Sequence, residues 1–139
     1  MARIDLLLDT GPLVAFLNAG DQWHEWVTAQ WSELYEPMRT CDAVLSECVF
    51  LCQQARLPLK PLLELFGRQL VVLDFDLAVN LPDVARLLRK YEDQPMSLAD
   101  ACLVRMAERK ENCQVFTTDR DFLVYRRHGR GEIPLLAPF

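Results

Sequence analysis

Ile4-Asp5-Leu6-Leu7-Leu8-Asp9-Thr10-Gly11-Pro12-Leu13-Val14-Ala15-Phe16-Leu17 carries the first clue to the architecture. Ile4 to Leu8 is an apolar run of buried-strand length. It stops at an acid, which is followed by a capping residue, Thr10, and by Pro12, a residue tolerated in a first helical turn. A buried strand that feeds straight into a helix is the opening of an α/β unit. The alternation continues down the chain. Further strands are expected at Met38 to Cys41, Leu70 to Leu73, Gln114 to Thr117 and Ile133 to Leu136. Helices are expected after Asp21, over Ala43 to Gln54, from Pro58 and Pro61 to Gly67, over Leu77 to Tyr91, over Leu98 to Glu111 behind a Ser97 cap, and over Asp119 to Arg127. No repeat, linker or low-complexity segment interrupts them, so residues 1–139 read as one α/β domain.

Composition supports a self-sufficient core. With 139 residues and 51% hydrophobic side chains, the chain needs neither disulfides nor a structural metal to fold. Five cysteines without a CxxC pair read as buried, reduced thiols rather than as a metal site. His24 and His128 read as surface residues. Leu6 to Leu8 is too short for a signal peptide core or a membrane span, which suggests a cytoplasmic protein. The net charge of -5 argues against gripping nucleic acid by bulk positive charge. That charge is uneven: residues 1–55 carry a net -6 and residues 56–139 a net +1, so any basic surface comes from the second part. Arg105, Arg109, Lys110, Arg120, Arg126, Arg127 and Arg130 are available there for phosphate contacts, or simply as a solvated face.

The acids are informative through their positions. Asp9 and Asp119 fall at the carboxyl ends of two expected strands, where an open parallel sheet forms its ligand crevice. Asp100 lies in the first turn of the helix leading into the Gln114 strand, and Glu47 edges an apolar stripe of Val44, Cys48 and Leu51. Four carboxylates in one small space raise each other's pKa and call for a cation. Oxygen ligands without His or Cys suit Mg2+ or Mn2+, ions that serve phosphate chemistry. Each acid also has a plain structural reading. Ser97 and Asp100 fit a capping box, Asp119 fits an N-cap, Asp9 fits a loop acid before a helix, and Glu47 fits a solvated stripe edge.

At these same residues the sequence resembles the PIN-domain nucleases, most closely the toxins of VapBC-type toxin-antitoxin pairs. The resemblance rests on LLLDTGPLVAFL around Asp9, LSECVFL around Glu47, YEDQPMSLADACLVRMAER around Asp100 and VFTTDRDFLVYR around Asp119. It implies a five-stranded parallel sheet of order 3-2-1-4-5 flanked by helices, and an Mg2+- or Mn2+-dependent endoribonuclease. By position, Asp9, Glu47, Asp100 and Asp119 match the family's catalytic and metal-binding acids. Thr10 and Thr117 match hydroxyls that hydrogen-bond those ligands, and Asp121 matches a less constant acid beside them. Asp93 resembles a frequent loop acid to which no role is assigned. Implied partners are RNA, a VapB-like antitoxin and a second copy of the chain in a homodimer. Trp23, Trp26, Trp31 and Phe16 are then either core or part of such an interface. Two other readings compete: a PIN-like domain that binds RNA or protein without cutting, and a receiver-type signalling domain. The second wants an adjacent acidic pair after the first strand and a late Lys, and the chain has neither.

Overall fold

The computed structural model describes residues 3–139. Five parallel strands form one sheet: β1 (Asp5–Leu8), β2 (Met38–Thr40), β3 (Val71–Leu73), β4 (Cys113–Phe116) and β7 (Leu135–Leu136), in the order β3-β2-β1-β4-β7. This is the expected order, with its fifth place filled by the last strand of the chain. The helices are α1 (Thr10–Leu17), α2 (His24–Trp31), α3 (Asp42–Gln54), α4 (Lys60–Gly67), α5 (Leu77–Lys90) and α6 (Leu98–Arg109). Strand β1 lies at the centre with β2 on one side and β4 on the other, so the chain reverses direction across the sheet at β1. That reversal opens a crevice at the carboxyl ends of β1 and β4.

The core explains the sequence pattern. Leu7 and Leu8 of β1, Val115 and Phe116 of β4, and Leu103, Val104 and Met106 of α6 are fully buried together. Helix α6 is the most enclosed of the helices, buried at eight of its twelve positions. The aromatic residues of α1 and α2 pack inward. Phe16 stacks on Trp31 at 3.9 Å between ring centroids, and Trp26 meets Phe116 edge-on at 5.8 Å. All five cysteines are buried and unpaired by disulfides. No helix among the described residues is long and apolar enough to cross a membrane.

Three sequence expectations are corrected. The cap of α1 is Asp9 rather than Thr10: its Oδ1 accepts from the Thr10 backbone N–H at 2.8 Å, and Thr10 is already helical. Residues 119–127 are not one helix. A single 3-10 turn, Arg120–Leu123, is followed by the antiparallel hairpin β5 (Arg126–Arg127) and β6 (Gly131–Glu132). Its reversal uses positive φ at His128 (54°) and Gly129 (83°), a turn for which Gly129 was the available sign. His24 is half-buried rather than free at the surface, with Nδ1 2.7 Å from the Ala15 carbonyl.

Leu7 tests the central position of β1. Leu7→Ala is expected to lower unfolding free energy by about 2–5 kcal/mol, the range for truncating a fully buried leucine. Chemical denaturation measures it, and a loss under about 1 kcal/mol would contradict the burial described.

Candidate active site

Asp9 sits where β1 ends and α1 begins, and it is only 5% exposed. The sheet continues right up to it, because its backbone N–H donates to the Phe116 carbonyl at 3.0 Å. Its carboxylate is held at both oxygens. The Thr10 backbone N–H reaches Oδ1, and the Thr117 hydroxyl donates to Oδ2 at 2.7 Å. Thr117 Oγ1 in turn accepts the Asp119 backbone N–H at 2.9 Å. One hydroxyl thus ties the acid after β1 to the acid after β4. The glycine of the first block has a local cause: a Cβ at Gly11 would collide with Thr118 Oγ1, in the same loop as Thr117 and Asp119.

Asp119 caps the 3-10 turn through Oδ1, which accepts the Asp121 backbone N–H at 2.9 Å. Asp100 comes from the opposite direction, in the first turn of α6, and is 7% exposed. The Ser97–Asp100 capping box is present, with Ser97 Oγ accepting the Asp100 N–H at 3.0 Å and Asp100 Oδ2 accepting the Ser97 N–H at 3.3 Å. The same Oδ2 accepts a second donor, the Tyr125 hydroxyl, at 2.9 Å. Glu47 is the outer member, exposed on α3. It borders a cleft of about 460 Å³ that is also lined by Asp42, Ala43, Ser46, Leu77, Ser97, Leu98 and Ala99. Asp121 is half-buried and contributes backbone to the turn, while Asp93 is exposed between α5 and α6.

The electrostatics join these acids into one group. Burial pushes Asp9 up to about 7; the Thr117 hydrogen bond opposes this, and the charges of Asp100 and Asp119 add to it. Asp100 is raised by burial, against the pull of Tyr125 and Ser97, and further by Asp119. Glu47 is raised by partial desolvation of its carboxyl and then by Asp100, with the Thr10 hydroxyl acting against both. Asp121 is raised by burial and then by Asp119. Burial and the Asp100 charge push the Tyr125 phenol well above its ordinary value, so it remains a donor.

A divalent cation fits this donor set. All the side chains are hard oxygen donors, and their mutual repulsion is relieved by positive charge. Thr10 Oγ1 is buried next to Asp9 and, among the described residues, makes no hydrogen bond of ordinary geometry, though it lies near enough to Glu47 to lower that carboxyl. Among the described residues no three His, Cys, Asp or Glu side chains are close enough to chelate an ion by themselves. An ion of the Mg2+ type meets that condition, since it keeps several waters and binds through one or two carboxylates.

The basic residues divide sharply. Arg105 is bound to Asp83, Glu108 and Asn80, Lys110 to Asp74, Arg126 to the Leu123 carbonyl, and Arg127 to the Ala107 and Lys110 carbonyls. These four hold the fold. Arg120 lies beside Asp119 with its guanidinium over the Phe139 ring at 4.8 Å, and Arg109 and Arg130 are exposed. Tyr125 was not singled out from sequence. The available signal was a tyrosine six positions after a strand-end acid in an apolar setting, because a buried phenol needs a partner.

The PIN domain family model matches residues 6–127. Among solved structures the fold is similar to that of VapC20 of Mycobacterium tuberculosis, a Sarcin-Ricin loop cleaving toxin. The TM-score is 0.76 at 20% sequence identity, with 94% of this chain and 99% of that one covered. No curated protein matches the chain in sequence.

Asp9 makes a pH prediction. Its folded value of about 7 stands above its ordinary 3.8, so the folded protein binds this proton more tightly than the unfolded chain does. The resulting stabilisation is complete below about pH 4 and is lost as pH rises to about 7, amounting to some ~4 kcal/mol at one unit per 1.36 kcal/mol. With chelator present, the melting temperature is expected to fall between about pH 5 and about pH 8. Asp9→Asn should flatten that fall and melt higher than wild type at the upper pH. A wild-type melting temperature indifferent to pH would contradict the buried carboxylate.

Proposed function

This chain belongs to the PIN-domain family, and from that premise we propose that it is a metal-dependent endoribonuclease, the toxin member of a toxin-antitoxin pair. What supports the reading is that Asp100 and Asp119 lie near enough to Asp9, at the end of β1, for their charges to raise it, with the Thr10 hydroxyl beside Asp9. Fold similarity to VapC20 supports the same reading. Asp9, Asp100 and Asp119 would hold Mg2+ or Mn2+, and Glu47 would complete the site from α3. When bound, the ion supplies positive charge to the nonbridging and leaving oxygens of a phosphodiester.

The chain's own residues do the rest. Glu47, whose carboxyl is raised and which is the most accessible of the four acids, takes the proton from the attacking water. The water oxygen bonds to phosphorus as the bond to the 3′-oxygen breaks, and that oxygen takes a proton from solvent, leaving a 5′-phosphate and a 3′-hydroxyl. Thr117 keeps Asp9 and Asp119 in register through the attack, with Asp121 bracing the Asp119 turn. Arg120, Arg109 and Arg130 are exposed cations available to RNA phosphates. The reading includes a homodimer, a cytoplasmic location and a VapB-like antitoxin that masks the site. A basic antitoxin segment suits an acidic crevice on a chain of net charge -5.

One observation favours a second reading, a PIN-like domain that binds RNA or protein without cutting: among the described residues no three acids close up into a ready-made chelate. Cleavage separates the two. Asp9→Asn and Asp100→Asn are each expected to lower Mn2+-dependent cleavage of RNA by about a thousandfold, the equivalent of several kcal/mol of lost charge stabilisation. Cleavage by either variant at the wild-type rate would exclude these acids from the chemistry. Absence of cleavage by the wild type with every RNA and metal tried would favour the binding role. Growth arrest on expression, relieved by the product of an adjacent gene, is the expected sign of the toxin role.

A further inference from the structure

Asp100 is held asymmetrically. Both of its donors, the Ser97 N–H at 3.3 Å and the Tyr125 hydroxyl at 2.9 Å, fall on Oδ2, while Oδ1 takes no hydrogen bond from the described residues. A capping box needs only the Ser97 contact, so the phenol is an addition to it. Tyr125 is fully buried, and its ring is fixed edge-on between Tyr91 and Phe122, each 5.2 Å away between centroids. Its backbone is fixed too, with its N–H donating to the Asp121 carbonyl at 3.2 Å, while the Asp121 N–H donates to Asp119. A continuous set of hydrogen bonds therefore runs from Asp119 through the turn to Tyr125 and across to Asp100.

We propose that Tyr125 is a positioning residue of the nuclease site, locking Oδ2 of Asp100 so that the free Oδ1 is presented at a fixed separation from Asp119. The proposal rests on the metal-dependent reading above. Groups that orient metal ligands in this way cost about tenfold to a hundredfold in affinity when removed. Tyr91 provides the internal comparison. It belongs to the same aromatic cluster, and its hydroxyl is also engaged, accepting the Arg126 N–H at 2.8 Å, yet it touches no acid of the site.

Mn2+ affinity of the full chain, measured by calorimetry or by the electron paramagnetic resonance of free Mn2+, tests the proposal alongside thermal melting. Tyr125→Phe keeps the ring and is expected to weaken Mn2+ binding by about tenfold or more. Tyr91→Phe should stay within about twofold of wild type even where it melts lower, and Tyr125→Phe should add nothing to Asp100→Asn. A purely packing role for Tyr125 predicts lower melting with unchanged Mn2+ affinity, and that result overturns the proposal, as does an equal loss in Tyr91→Phe. Wild-type protein that takes up no Mn2+ overturns the metal reading and this proposal with it. Wild-type binding that Asp100→Asn weakens and Tyr125→Phe does not overturns this proposal alone.

Discussion

The site depends on a carboxylate buried at the end of the central strand. Asp9 is almost out of contact with water, where an ionised carboxyl is costly unless it is hydrogen-bonded or faces a cation. The protein supplies two donors, Thr10 N–H and Thr117 Oγ1, and these do not fully offset the burial, since Asp9 remains raised to about 7. The remaining imbalance is what a divalent ion would relieve. The Thr117 hydroxyl then transmits the position of Asp9 to the next strand, because it also accepts the N–H of Asp119. The topology brings those two strand ends together, and one threonine fixes their spacing.

Capping and the proposed ligation draw on one geometry. Asp9 and Asp119 are caps and Asp100 is the acid that completes the Ser97 capping box, and each spends one carboxylate oxygen on a nearby backbone N–H. A cap fixes the carboxyl rotamer at little entropic cost, because the helix start is already ordered. Asp100 and Asp119 are thereby left with an oxygen that no described donor occupies, and Asp9 with its second oxygen held by a hydroxyl. The structural and functional readings of these acids are therefore complementary. The capping bonds preorganise the group before any ion arrives, which is where a rigid site gains over a flexible one.

Much of this was legible in the sequence, for identifiable reasons. Leu6 to Leu8 ending at Asp9, and Val115 and Phe116 ending near Asp119, are short buried runs whose length and punctuation mark strands. Ser97 and Asp100 announce a helix start by spacing alone. The hairpin after the Asp119 turn was not legible, because Arg126, Arg127, Gly131 and Glu132 carry no alternating apolar pattern and their pairing is set by the turn at His128 and Gly129. The partners of the arginines were hidden as well. Arg105, Arg126 and Arg127 are indistinguishable in sequence from phosphate-binding residues, and only the fold brings Asp83 and the helix-end carbonyls to them. Tyr125 was missed for the same reason, since its contact with Asp100 spans 25 positions.

The acidic balance now has a location. Four of the 20 acidic residues are proposed to share one crevice, where a bound cation would convert a region that repels phosphate into one that attracts it. The most direct test is a crystal of this chain grown or soaked with Mn2+ and recorded at a wavelength where manganese scatters anomalously. An anomalous peak is expected among Asp9, Asp100 and Asp119, with Glu47 toward its open side. A peak only elsewhere, or none at saturating Mn2+, would contradict it.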